Sequence, residues 1–195
     1  MTPKLHPAEN RGLREVYLTT RQLVDHWRAL AARRPETSLG KLLSRGADSA
    51  RELLDELEPA TAAHGLHGRP AAQGAGQAMA RQRASVRDRF LEVNQAARFA
   101  VEDIQHVVTL LGYLAEVSAA SGNEDLAELA ARWDRKLRRL ESQVRRAVIE
   151  LGRDPDAAIE PLDSSPLGKA AHGLGSVAGS VGEWMDSKAA RSEKA

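Results

Sequence analysis

The stretch Glu124–Leu151, "EDLAELAARWDRKLRRLESQVRRAVIEL", decides the fold. Its apolar positions Leu126, Ala130, Trp133, Leu137, Leu140, Val144, Ala147 and Leu151 follow one another at alternate steps of four and three residues. Because an α-helix turns once every 3.6 residues, that rhythm draws them into one line along a helix. A line of this kind is a heptad seam, suited to left-handed bundle packing. Asn123 before it is a good N-cap, Gly122 a good stop for whatever precedes, and Gly152 a C-cap. Glu124, Asp125 and Glu128 suit the positive start of the helix, and Arg138, Arg139, Arg145, Arg146 and Arg153 suit its negative end.

Outward from this helix the same period recurs. The preceding stretch predicts a helix from about Gln77 to Ala120, with Val86, Phe90, Val93, Ala97, Val101, Ile104, Val108, Leu111 and Ala115 as its stripe. Further back, Leu13, Val16, Thr20, Leu23, Val24, Trp27, Leu30 and Ala31 predict a first helix from near Asn10 to Arg33, ended by Pro35. A second begins after Thr37 and Ser38 and carries Leu39, Leu42, Leu43, Ala47, Ala50, Leu53, Leu54 and Leu57. Pro59 is expected to kink or stop it, since proline lacks the N–H and its ring crowds the preceding turn. "GLHGRPAAQGAG", residues 65–76, has four glycines and a proline with no apolar period and reads as a connection.

The predicted fold is therefore all-α: an antiparallel four-helix bundle followed by an extra Gly-rich C-terminal helix. The order of the helices is open between an up-and-down arrangement and a ferritin-like one with a crossing connection. Residues 1–9 read as a flexible N-terminus, 10–152 as the bundle, 153–165 as a linker, and 166–195 as an amphipathic helix with a charged tail. Leu23, Trp27, Leu43, Leu54, Val101, Ile104, Leu111, Trp133, Leu140 and Val144 are expected in the core. The C-terminal stripe Leu167, Ala171, Leu174, Val177, Ala178, Val181 and Trp184 is interrupted by five glycines. At roughly 1 kcal/mol each relative to alanine, these leave it in need of a surface to lie on.

Composition removes several function classes. There is no cysteine, hence no disulfide, thiolate metal site or cysteine nucleophile. The 28 Lys and Arg nearly balance the 27 Asp and Glu, so no chain-wide field gathers nucleic acid or anionic lipid. Arg81, Arg83, Arg87 and Arg89, and the basic flank of the fourth helix, alternate with acids and lack interleaved aromatics for base stacking. Nucleic acid is not a predicted partner. "MTPKLHPAENRGLREVYL" contains no apolar run of the secretory kind, and a cytoplasmic location is expected. The chain carries no P-loop, G-x-S-x-G elbow, G-x-G-x-x-G turn or His-Glu-x-x-His motif.

The remaining candidates are histidines with carboxylates. "VEDIQHVV" sets Glu102 and His106 four residues apart on one helix face, and "HGLHG" sets His64 three residues from His67. The chain resembles the ferritin-like fold in helix count and length, although the Glu-x-x-His pair of that fold does not occur. That resemblance implies a di-metal site for iron, manganese or zinc, with Glu102, His106, His64, Glu56, Glu58 and Glu92 as the pool of ligands. Without convergence of these groups no cofactor is expected. The leading expectation is a non-catalytic interaction or scaffold protein, binding a protein partner or self-associating through the seam of the fourth helix or the C-terminal segment. Membrane contact through residues 166–185 is the third reading.

Overall fold

The computed structural model describes residues 5–64, 91–162 and 165. The connection 65–76, the stretch 77–90 with its arginines, His67 and the segment 166–195 lie outside the described residues. Among the described residues there are four long helices, α1 Pro7–Arg33, α2 Ser38–Ala63, α3 Val93–Ala120 and α4 Glu124–Leu151, with a single-turn α5 at Pro155–Ala158. The described residues form an all-α bundle, as the apolar period requires.

The helix starts are set by caps. α1 begins three residues earlier than its stripe suggests. His6 accepts the Ala8 N–H, and the Glu9 carboxylate accepts the His6 N–H at 2.7 Å, a capping box with Pro7 at the first helical position. Thr37 caps α2 through the Gly40 N–H. Gly40 is needed there, because a Cβ at this position would stand 2.0 Å from the Arg34 carbonyl oxygen. α2 then runs through Pro59 for one further turn, in which Thr61 is buried and its hydroxyl donates to the Glu58 carbonyl.

The single helix expected from Gln77 to Ala120 is corrected by the structure. Glu92 has extended backbone and caps a helix that starts at Val93, with Gln95 reaching back to the Glu92 N–H. Leu91 and Glu92 instead lie against the chain after α5. Glu92 and Pro161 form an antiparallel bridge, the Leu162 N–H donates to Leu91, and the Val93 N–H donates to Glu160. The stretch 153–165 read as linker is thereby drawn onto the bundle. Ala158 and Leu162 are buried, and Arg34 binds the Glu160 carboxylate and the Pro161 carbonyl. The α3–α4 turn follows the sequence reading. Gly122 takes φ +75°, and the Asn123 and Gly122 N–H groups close onto the Ser118 and Ala119 carbonyls, a Schellman turn.

Cross-helix contacts fix the direction of each helix. Only residues 34–37 separate α1 from α2 and the two helices pack along each other, so α1 and α2 are antiparallel. Gly12 meets Tyr113 and Leu114, while Trp27 bonds to Ala100, so α1 and α3 are antiparallel. Gln105 meets Glu141, and Glu52 and Glu56 meet Lys136 and Arg132, so α4 is antiparallel to both α3 and α2. α1 packs on α2 and α3, and α4 packs on the same two helices. It follows that α2 and α3 run parallel across the diagonal. The chain from 65 to 90 joins opposite ends of the bundle.

One core gathers residues from all four helices. Leu13, Leu23, Trp27, Leu53, Leu57, Ile104, Leu111, Leu114 and Leu137 are its largest fully buried members. Of the expected core residues, only Leu140 is left partly buried. The heptad seam of α4 is consumed here, since Leu126, Ala130, Trp133, Leu137 and Val144 are all buried inside the chain's own bundle.

Candidate functional site

The six candidate ligands do not converge. Glu102 and His106 are exposed on the outer surface of α3, on the arc opposite Ile104, Leu111 and Val108. His64 is the C-cap residue of α2 at one end of the bundle. It stands roughly 20 Å along the axis from the level of His106 at 1.5 Å per helical residue. Glu56 pairs with Arg132 across α2 and α4, Glu58 faces solvent, and Glu92 at the opposite end receives the Asn94 amide at 2.8 Å. Among the described residues no three His, Asp or Glu side chains are placed to hold a metal ion. The ligand pool does not fit a di-metal centre, which needs several ligands aimed at one point.

The structure does assemble a pair that the sequence reading does not single out. His26 Nδ1 lies 2.5 Å from Asp103 Oδ2, with the two side chains 16% and 33% exposed. His26 precedes Trp27, the buried residue whose indole N–H donates to the Ala100 carbonyl at 3.2 Å. The register set by the indole therefore brings the imidazole onto α3 one turn further along. Asp103 sits between Glu102 and His106 in "VEDIQHVV", so the motif was close to the right place. The partner of Asp103 is 77 positions away in sequence, a separation that only the helix order can bridge. A carboxylate on Nδ1 fixes the orientation of an imidazole. Here it fastens the first hairpin to the second.

The other electrostatic feature is the outer surface of α4. Its two flanks are neutralised: Arg132 pairs with Glu56 and Lys136 with Glu52 on the α2 side, and Arg138 pairs with Asp134 and Arg145 with Glu141 along the helix. The hydrogen bond that Arg138 donates to Asp134, followed by the carboxylate's charge, raises the Arg138 guanidinium above its ordinary value. Lys136 also lies 4.1 Å over the Trp133 ring. Between these flanks Arg135, Arg139 and Arg146 are exposed with no carboxylate partner among the described residues, and Ile149 beside them is 70% exposed.

No described helix is long and apolar enough to cross a membrane. Comparison of the chain with protein-family models, with curated proteins and with solved structures finds no match.

Proposed function

We propose that this chain is a non-catalytic helical interaction protein of scaffold type, associating with a protein partner or with copies of itself. The observation that supports this reading is the row of unpaired arginines on α4. Arg135, Arg139 and Arg146 share one outward arc, and Ile149 supplies an apolar contact at its edge. Arginine is what protein interfaces concentrate, and none of these three is held in an ion pair among the described residues, which leaves their charge for an acidic partner. A second copy offers such charge as well, because Glu124, Asp125 and Glu128 occupy the start of the same helix. The α4 seam is closed within the bundle, so this outward face takes its place as the associating surface.

Sedimentation velocity of the full chain over a wide concentration range, with a photo-crosslinker at position 139 in cells, tests the reading. Association that is weakened by salt and removed in R135E/R139E/R146E supports it. A monomer at every concentration, with no cross-linked protein, overturns it.

One long crossover between two helical hairpins is also the connectivity of ferritin-like bundles, and a metal protein is the second reading. Metal analysis of protein purified without supplementation tests it. Near-stoichiometric iron, manganese or zinc that survives dialysis would favour it over the scaffold.

A further inference from the structure

The outward arc of α4 carries acids as well as arginines, in a fixed order. Glu124, Glu128, Ala131, Arg135 and Arg139 follow one another at steps of four, three, four and four residues. That spacing sets them in one line, on the side of the helix opposite buried Leu126, Ala130, Trp133 and Leu137. The charged members of the line are exposed and form no ion pair among the described residues. Ala131, partly buried, stands between the acidic half and the basic half. The cations beside the line are already neutralised, Arg132 by Glu56, Lys136 by Glu52 and Arg138 by Asp134.

A line that is acidic in its first half and basic in its second is complementary to itself when a second copy lies antiparallel. With a two-fold axis beside Ala131, Glu124 of one copy faces Arg139 of the other and Glu128 faces Arg135, and the symmetry repeats both pairs. The short Ala131 side chain lies at the crossing, where helix separation is set by the side chains in contact, and the arginine stems can cover it. Other arrangements lose the match. A parallel pairing sets every charge against its own kind, and sliding one copy by a heptad brings the two copies of Arg135 together. A uniformly acidic partner would satisfy the arginines and be repelled by Glu124 and Glu128.

We infer that the α4 face binds a second copy of this chain, in an antiparallel α4–α4 dimer whose two-fold axis passes beside Ala131. The inference rests on the α4 reading above and names its partner. Exposed ion pairs add little singly, so the dimer is weak and tightens as salt is lowered. Sedimentation velocity of the full chain in low salt tests it. E124R/E128R and R135E/R139E should each weaken self-association by about tenfold or more, and an equimolar mixture of the two should associate at least as tightly as the unaltered chain, since every facing pair is then opposite in charge. R146E should leave association unchanged, because Arg146 lies beyond the overlap of the two helices. The chain has no cysteine, so single cysteines report the register. A short bis-maleimide should link copies carrying Ala131→Cys and fail with Arg146→Cys, whose two copies stand roughly 40 Å apart at 1.5 Å per residue. A monomeric unaltered chain, a mixture no more associated than its components, loss of association in R146E, or linking of Arg146→Cys without Ala131→Cys would each overturn the inference. A cross-link from position 139 to a different protein in cells would then retain the α4 reading with another partner, and its absence would end both.

Discussion

His26 Nδ1 and Asp103 Oδ2 meet at 2.5 Å across α1 and α3, and the contact ties the first helical hairpin to the second. Both side chains are partly shielded from water, which raises the value of the bond above that of an exposed pair. Removing either partner should destabilise the protein by about 1.5–3 kcal/mol, the range for a hydrogen bond to a charged group. Urea unfolding of His26→Ala, Asp103→Ala and the double variant checks this. A coupling energy of about 1 kcal/mol in that cycle is the expected result. Purely additive losses would show that the pair contributes nothing as a pair.

Gly46 gives Trp27 its place. A Cβ on residue 46 would stand 2.3 Å from the six-membered ring of Trp27, whose indole is completely buried and held by the Ala100 carbonyl. Gly→Ala inside a helix ordinarily gains about 1 kcal/mol. Here overpacking works against that gain and costs about 1–3 kcal/mol or more, because neither the ring nor the backbone has room to yield. Gly46→Ala should lower the thermal midpoint. Combined with Trp27→Leu, it should cost less than the two single losses added together.

The exposed pair on α3 is expected to be silent in stability. Glu102→Gln and His106→Ala remove side chains that face solvent, so each should move the unfolding free energy by no more than about 0.5 kcal/mol. Chemical denaturation measures this directly. A loss of 2 kcal/mol from either would mean that the face is covered in solution.

How far these contacts could be read from the sequence depends on their range. The seam of α4, the Gly122–Asn123 turn and the Thr37 cap are local, and a few neighbouring residues specify each. The start of α3 was missed because a longer apolar period masks it. Glu92 and Gln95 form a capping box, but Val86 and Phe90 continue the stripe upstream and suggest an unbroken helix. The fold of residues 154–162 was missed for a related reason. Leu162 is buried only because the chain bridges back to Glu92, and that pairing has no local signature. The His26–Asp103 pair depends on α1 lying antiparallel to α3. Periodicity gives the faces of helices and is silent on which helix each face meets.

The parallel course of α2 and α3 makes the connection between them a testable length. α2 ends beside the start of α4, at the end of the bundle opposite Val93, and each helix is roughly 40 Å long at 1.5 Å per residue. A fully extended chain covers at most about 3.6 Å per residue. Replacing residues 65–90 with six glycine and serine residues gives a reach of about 20 Å, too short for Val93 to return to its place. Replacing them with 26 such residues leaves ample reach. The long replacement should remain a cooperatively unfolding bundle of native helix content. The short one should either fail to fold or exchange its second hairpin with another copy. Light scattering after size exclusion, with circular dichroism, distinguishes these outcomes. A stable native monomer with the short loop would mean that α2 and α3 are antiparallel neighbours, and would overturn the helix order.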